Sequence, residues 1–593
     1  MTDSTKLKKT KREFNKELNN FRELMDYSYK KYKNNIAYEY KENKEDKENI
    51  KYIKKTYSDA YNDVKALATY LLDKKDKFGR VAIIGSNSYE WVISYFGITC
   101  AGLVVAPMDK LLPEAEIESL IRRSKVNAII FEKKYLEILK KIQKQSDNEL
   151  QTLICTEKLE DEKDVLYLYD LIKNGTDLIN NNKSKYDSVK IDDNKMYIML
   201  FTSGTTSQAK IVMLSQKNIC SNIYAYQDHF KMWPEDNLLS FLPIHHTFES
   251  SITIIYGFYN GVTIAFCDGL RHIAENLKEY EISIFVAVPL LIETMYKKIN
   301  KGIEDQGKTK LIKILAKISN FLLKFHIDIR RKIFKQIINN FGGKLRIMLY
   351  GAAAMDKETI VGFNNFGIDS IQGYGLTETS PVLCAESEDR HKVGSCGFPL
   401  DNVDLKVIDK DKSGVGEIVA KGPNIFLGYY NDEKKTKEAF TEDGYFKTGD
   451  YGYIDENGFV FITGRKKDII VLRNGKNVYP QEIEMLINKI PYITESMVYA
   501  RNNSKMDTLL VAKIVYDKDL IREKFKNAKK DDYNKLIFED IKNINKELPS
   551  FKHIKQIIVT DEPMSKTTTQ KIKRYEEIEK VEKELNKGNA NKN

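Results

Sequence analysis

Arg80-Val81-Ala82-Ile83-Ile84-Gly85 is a short apolar run with strand character, Tyr89 to Cys100 has helix length, and Leu103-Val104-Val105-Ala106-Pro107 is strand-like again. Glu114 to Arg123 then has helical spacing, and Asn127-Ala128-Ile129-Ile130-Phe131 repeats the strand pattern. Apolar strands alternating with helix-length segments predict a parallel sheet flanked by helices. Upstream, Asp59 to Leu72 is helical in spacing, and Lys41 to Lys55 is charged enough to be a solvated loop or hairpin. Downstream, Lys140 to Lys195 is a polar, Asn/Lys-rich excursion. The alternation resumes with Met196 to Phe201, Asn237 to Pro243, Val262 to Phe266, Ile282 to Val288 and Leu345 to Tyr350 as strands.

From Val403 the texture changes to short strands and tight turns such as Asp411-Lys412-Ser413-Gly414 and Asp455-Glu456-Asn457-Gly458, which predict a small β subdomain. Beyond Gly464, Ile483 to Ile490, Leu509 to Tyr516 and Phe538 to Leu548 carry an apolar periodicity of their own. The expected division is therefore a large domain over 1–464 and, past a boundary at 465–467, a small α+β domain over 468–593. A chain of 593 residues is too long for one ordinary core. Its net charge of +10 is spread out, with aromatics not interleaved among basic runs, which argues against nucleic acid as a partner.

The six cysteines form no CxxC pair, so neither a disulfide frame nor a zinc site is expected. The N-terminus has no apolar core of a signal peptide, and Trp91 to Pro107 is too short to span a bilayer. The expected location is cytoplasmic. One basic amphipathic stretch, Lys308 to Lys335, leaves two readings open: a surface helix pair with an apolar underside, or peripheral contact with the inner face of an anionic membrane.

Chemistry concentrates in six places. Thr202-Ser203-Gly204-Thr205-Thr206-Ser207-Gln208-Ala209-Lys210 follows a strand with hydroxyls, a glycine and a closing lysine, the makings of a phosphate cradle or of a solvated linker. It is not a Walker A loop, because Ala209 and Ile211 flank the lysine. His245 and His246 end a strand. Gly351-Ala352-Ala353-Ala354 offers small residues that a flat ligand could approach, although tight packing would look the same. Gln372-Gly373-Tyr374-Gly375-Leu376-Thr377-Glu378-Thr379 puts an aromatic, a hydroxyl and a carboxylate on one turn. Lys447-Thr448-Gly449-Asp450 offers a carboxylate for vicinal hydroxyls, and Gly464-Arg465-Lys466-Lys467-Asp468 gathers charge at the expected boundary.

In this order and with these gaps, the set resembles the adenylate-forming superfamily, and within it the long-chain fatty acid–CoA ligases, from about residue 27 to residue 575. The resemblance implies ATP-dependent activation of a fatty acid as an acyl-adenylate, then transfer to the thiol of CoA. It implies that Thr202, Ser203, Gly204, Thr205, Thr206 and Lys210 hold the β- and γ-phosphates, and that His246, in preference to His245, lies near the acyl carboxylate. Gly351, Ala352 and Ala353 would line the adenine slot with Tyr374 stacked on the base. Thr377 would bond the α-phosphate, Glu378 would bind Mg²⁺, and Asp450 and Arg465 would hold the ribose. Lys467 would be the hinge, Lys571 the adenylation lysine, and Asn474-Gly475-Lys476 would face the thiol. Ser207, Ala209 and Gln570 depart from the usual Gly, Pro and Gly. Two other readings stand beside it: transfer to the phosphopantetheine of acyl carrier protein, and a membrane-surface protein that binds nucleotide without turnover.

Overall fold

Helix starts are fixed by side chains that satisfy the first unpaired N–H groups. Thr56 and Asp59 form a reciprocal capping box at helix Tyr57–Asp73, Ser88 accepts from Trp91 N–H at Tyr89–Cys100, and Ser215 with Asn218 caps Gln216–Ala225. The computed structural model describes residues 15–42, 49–145, 147–202, 209–472, 476–502, 508–526, 528–566 and 572–590, apart from the side chains at 502, 531 and 584–590. Chain contacts gather into two compact units. The first is Met1–Leu405, Ala420–Phe446 and Gly458–Val460, and the second is Lys406–Val419, Lys447–Asn457 and Phe461–Asn593.

The first unit contains two large sheets. In one, strands Asp369–Gly375, Ile347–Tyr350, Ile284–Ala287, Asn237–Ser240, Thr263–Phe266 and Ile36–Glu42 lie side by side and parallel. Strand Lys51–Thr56 adds antiparallel to Ile36–Glu42, so the described ends of the charged stretch, Lys41 and Glu42 on one side and Lys51 to Lys55 on the other, lie in paired strands. The other sheet runs Ile198–Thr202, Val104–Met108, Arg80–Ile84, Ala128–Phe131, Thr152–Cys155 and Val165–Tyr167 in parallel. On its other side strand Lys210–Leu214 adds antiparallel to Ile198–Thr202, and the short strand Gly428–Tyr429 pairs antiparallel beyond it. Both sheets are buried under helices, which is why their strands are nearly continuous apolar runs.

The polar excursion at 140–195 is more ordered than its composition suggests. It supplies the two outermost parallel strands and helix Leu168–Asn180. Strands of three and four residues are too short for periodicity to register. The helix lies so close to Tyr57–Asp73 that a Cβ on Gly175 would fall 1.9 Å from the Ala66 carbonyl oxygen.

The second unit carries most of a four-stranded sheet ordered Asp404–Ile408, Gly416–Lys421, Phe446–Ile454, Val460–Arg465. It also carries the sheet Ile493–Asn502, Thr508–Tyr516, Ile554–Thr560, whose first pair is antiparallel and second parallel. Helices Pro480–Ile487 and Tyr533–Glu547 pack on it through Ile483, Ile487, Ile537 and Ile541.

Candidate active site

Parallel sheets leave their loops, and therefore their ligand sites, at the carboxyl ends of the strands. In the first unit, several of the expected residues arrive there. His245 and His246 follow Asn237–Ser240, Gly351–Ala353 follow Ile347–Tyr350, and Tyr374 to Glu378 end Asp369–Gly375. Tyr350 pairs with Gln372 in register, so Gly351 lies next to Gly373: a Cβ on Gly351 would be 3.0 Å from the Gly373 oxygen and 3.6 Å from the Phe248 ring. Ala352 sits at φ +69° and Ala352 to Ala354 are exposed, leaving a shallow small-residue ledge beside Tyr374. Gly375 is obligatory here, because a Cβ would sit 1.8 Å from the Pro381 oxygen.

The histidine end is polar yet kept uncharged. Asn87, after strand Arg80–Ile84, donates to Ser240 Oγ (2.9 Å) and to the Leu242 carbonyl (2.8 Å), tying the two sheets together. His245 Nε2 lies 3.7 Å from Asp109 Oδ2, the residue after strand Val104–Met108. Burial holds the His245 imidazole well below its ordinary range, with His246 and Lys110 adding to the effect. The His245 and His246 rings are 4.3 Å apart, and the His246 carbonyl accepts from Ser250 N–H. Beneath them, Glu249 is fully buried on the π-helical turn Phe248–Tyr256. It accepts from Ser240 Oγ at 2.6 Å and Thr253 Oγ1 at 3.0 Å, and burial raises its carboxyl to about 8. The group is therefore neutral at pH 7.

The Glu378 end is held differently. Thr202 pairs with Lys210 across the antiparallel ladder, so the two ends of the hydroxyl loop are side by side. The Arg123 guanidinium donates to the Ala209 carbonyl at 2.5 Å. The Lys210 ammonium lies 4.4 Å above the Tyr429 ring, and the Tyr429 hydroxyl donates to Glu378 Oε1 at 3.0 Å. One aromatic side chain thus bridges the expected phosphate lysine and the expected metal carboxylate. Tyr429 is positioned by its pairing with Val212 on the neighbouring strand. Burial, with Glu378 beside it, raises its hydroxyl well above the usual range, so it stays a donor. Glu378 rides the 3₁₀ turn Thr377–Thr379, braced by Phe426 N–H on its carbonyl (2.9 Å). Among the described residues no three His, Cys, Asp or Glu side chains cluster as metal ligands. A single carboxylate suits Mg²⁺ shared with substrate phosphates, a mode that needs only one or two protein carboxylates.

In the second unit, Asp450 is buried on Phe446–Ile454 and pairs with Arg465 Nε at 2.8 Å. Next along the chain, Lys466 reaches the buried Glu417 at 2.6 Å. Burial lowers Lys467, which Asp468 opposes and Arg465 and Arg574 reinforce. Arg574 in turn grips Glu484 through Nη2, at 2.6 Å to Oε1 and 2.5 Å to Oε2. Lys566 and Ile572 form an isolated antiparallel bridge. Ser203 to Gln208, Asn474, Gly475 and Thr567 to Lys571 lie outside the described residues.

Two residues of this site escaped the sequence reading. Tyr429 sits in Gly428-Tyr429-Tyr430, which carries no local signal; only strand pairing brings it to Glu378. Glu249 did leave a trace, as the sole carboxylate in the run from Phe248 to Tyr259.

Comparison with known proteins fits this geometry. Residues 28–430 match the AMP-binding enzyme family, and residues 467–592 match the AMP-binding enzyme C-terminal domain. Long-chain-fatty-acid–CoA ligase 5 of Rattus norvegicus is 28% identical over 577 residues, covering 88% of this chain and 82% of that protein. The chloroplastic long-chain-fatty-acid–[acyl-carrier-protein] ligase AEE15 of Arabidopsis thaliana is 25% identical over 579 residues, covering 85% and 78%. Among solved structures, ATP-bound MatB of Rhodopseudomonas palustris superposes with a TM-score of 0.70 at 23% identity, covering 93% of this chain and 97% of that one. With both domain matches in sequence order and together spanning most of its length, the chain belongs to the adenylate-forming, AMP-binding enzyme family.

Proposed function

We propose that the protein is a long-chain fatty acid–CoA ligase that works through an acyl-adenylate. The observation that carries the reading is the convergence, at the carboxyl edge of one parallel sheet, of the histidine pair, the small-residue ledge with Tyr374, and Glu378 linked through Tyr429 to Lys210. Relatives that include both CoA and carrier-protein ligases of long-chain fatty acids support the substrate class.

In the first half-reaction a carboxylate oxygen attacks the α-phosphorus of ATP, the bond to the bridging oxygen breaks, and pyrophosphate leaves. Thr202 to Thr206 and Lys210 hold the departing phosphates, Thr377 bonds the α-phosphate, and Lys571 supplies positive charge as negative charge gathers. Preorganised donors of this kind are each worth ~10²–10³ in rate. Glu378 would hold Mg²⁺ together with the phosphates, and the ion would supply further charge neutralisation. Gly351, Ala352, Ala353 and Tyr374 receive the base, and Asp450 with Arg465 the ribose. The uncharged His245–Glu249 floor near His246 offers the incoming carboxylate hydrogen-bonding partners without a competing ion pair. In the second half, a thiolate attacks the acyl carbonyl, the carbon–oxygen bond to AMP breaks, and the thioester forms. The division at 465–467 allows the part of the chain after Lys467 to present Lys571 for one half and Asn474 to Lys476 for the other, a gating motion that also excludes water.

Release of pyrophosphate driven by a fatty acid, followed by thioester formation with CoA or with holo acyl carrier protein, tests the reading. Turnover with a long-chain acid and CoA is expected. Transfer only to carrier protein would replace CoA as the acceptor, and ATP binding without pyrophosphate release would overturn the proposal.

A further inference from the structure

Helix Thr309–Leu323 has two apolar faces, and only one is used by the fold. Ile312, Leu315 and Ala316 pack against the core of the parallel sheet, and Ser319 is buried. Leu311, Ile314, Ile318 and Phe321, with Phe325 just past the helix end, recur at spacings of three and four residues and are 48–61% exposed. At 100° per residue these side chains form one stripe on the solvent side. Lys310, Lys313 and Lys317 fall along a single edge of that stripe, and Lys324 caps the helix at the same end as Phe325. Residues 306–327 contain five lysines and no aspartate or glutamate. The arginines that follow are already engaged: Arg330 pairs with Asp328 at 2.7 Å and donates to the Asn364 carbonyl, and Arg331 donates to the carbonyls of Leu345 and Gly367. The basic stretch from Lys308 to Lys335 therefore separates into a structural half and an outward-facing half.

We infer that the outward stripe of helix Thr309–Leu323 lies in the interface of an anionic phospholipid bilayer, with Leu311, Ile314, Ile318, Phe321 and Phe325 in the acyl boundary and the lysine row on the headgroups. Charge complementarity selects this occupant. A dense cationic edge with no acidic residue beside a bulky apolar stripe is the composition of an interfacial helix, whereas a second copy would bring lysine row against lysine row or lysines against apolar surface. No described helix is long and apolar enough to cross a membrane, so the contact is one of lying on the surface. The inference stands on this face alone and does not depend on the catalytic reading.

Flotation of the full chain with vesicles tests it. Binding is expected to phosphatidylcholine vesicles containing phosphatidylglycerol, to be at least ten-fold weaker with pure phosphatidylcholine, and to weaken as salt is raised. The triple variant Ile314→Glu, Ile318→Glu, Phe321→Glu should lose at least ten-fold in binding with its thermal unfolding unchanged. If that variant does not fold, Lys310→Gln, Lys313→Gln, Lys317→Gln, Lys324→Gln leaves the apolar stripe intact and should still lose binding to anionic vesicles. Equal binding by wild type and variants, no preference for anionic lipid, no binding at all, or self-association in sedimentation that the triple variant abolishes would each overturn the inference.

Discussion

The histidine end of the first unit and the charged turns of the second solve opposite electrostatic problems. Beside His246, two buried ionisable groups are shifted towards their neutral forms: His245 is held below its ordinary range, and Glu249 is raised to about 8. In the second unit several buried carboxylates are matched with cationic partners. Asp450 has Arg465, Glu417 has Lys466, and Glu577 is held down to about 2, against the cost of burial, by Lys513, Lys580 and Ser565. Under the proposed function, shifted neutral groups suit a place where a fatty carboxylate would enter and remain nucleophilic. Paired groups suit a region in which Asp450 and Arg465 would hold the ribose, Lys467 would be the hinge, and surroundings would change between half-reactions. A neutral site lets little fixed charge compete for the substrate, while a paired one can exchange one counter-charge for another.

This contrast can be broken by substitution, starting where the effect is largest. Lys571→Ala should lower adenylate formation by ~10²–10³, as for removal of a single transition-state donor, while thioester formation from supplied acyl-adenylate survives. Pyrophosphate exchange measured beside thioester yield checks this, and equal loss in both halves would remove Lys571 from its assigned role. The next effect concerns pH. A carboxyl whose pKa rises on folding, from 4.5 to about 8 for Glu249, stabilises the fold fully below pH 4.5 and progressively less as pH climbs to about 8. Glu577 has the opposite sign: its contribution is present above pH 4.5 and is lost as pH falls towards 2. Glu249→Gln should flatten the decline in thermal stability between pH 4.5 and 8, so that the variant gains on the wild type towards the alkaline end. An unchanged slope would mean that Glu249 is charged in the folded protein.

A smaller loss is expected from Lys467→Pro. Fixing φ at the proposed hinge should slow the thioester half by roughly ten-fold and spare pyrophosphate exchange. A parallel fall in both would place the hinge elsewhere. The smallest effect belongs to Tyr429→Phe, which deletes one hydrogen bond to Glu378 while keeping the ring under Lys210. A loss of about 1 kcal/mol, about five-fold in rate, is expected. It should appear as a higher Mg²⁺ requirement in a metal titration. A loss that excess Mg²⁺ does not relieve would leave Tyr429 with a purely structural part.

What the sequence disclosed follows the range of the forces involved. Tyr89–Cys100 was legible to the residue, because an apolar run of helix length is a local signal; the Ser88 cap that fixes its start emerged only in the structure. Four of the six parallel strands in the sheet that carries the histidine pair, Asn237–Ser240, Thr263–Phe266, Ile284–Ala287 and Ile347–Tyr350, were legible as apolar runs, and the residues after them as candidates, because loops at strand ends carry the polar chemistry. Ile36–Glu42 was hidden by its charged residues, and Gln372 to Gly375, whose glycines suggest a turn, are the end of strand Asp369–Gly375. Tyr429 was not legible: its place depends on pairing between Gly428–Tyr429 and a strand more than two hundred residues upstream. The two faces of Thr309–Leu323 were not separable either, since Ile312 and Ile314 are chemically alike and only the fold decides which one is covered. The short strands inside 140–195 were hidden by their polar neighbours.

That excursion carries one last consequence. Its Asn- and Lys-rich surface leaves most positions free to drift, yet Gly175 has the Ala66 carbonyl where a side chain would begin. Among diverging copies of this gene, neutral variation should accumulate at the exposed positions, the buried apolar ones such as Leu153, Leu168 and Leu171 should exchange only for other apolar residues, and Gly175 should not change at all. An invariant glycine in so polar a stretch would mark the point where two helices touch.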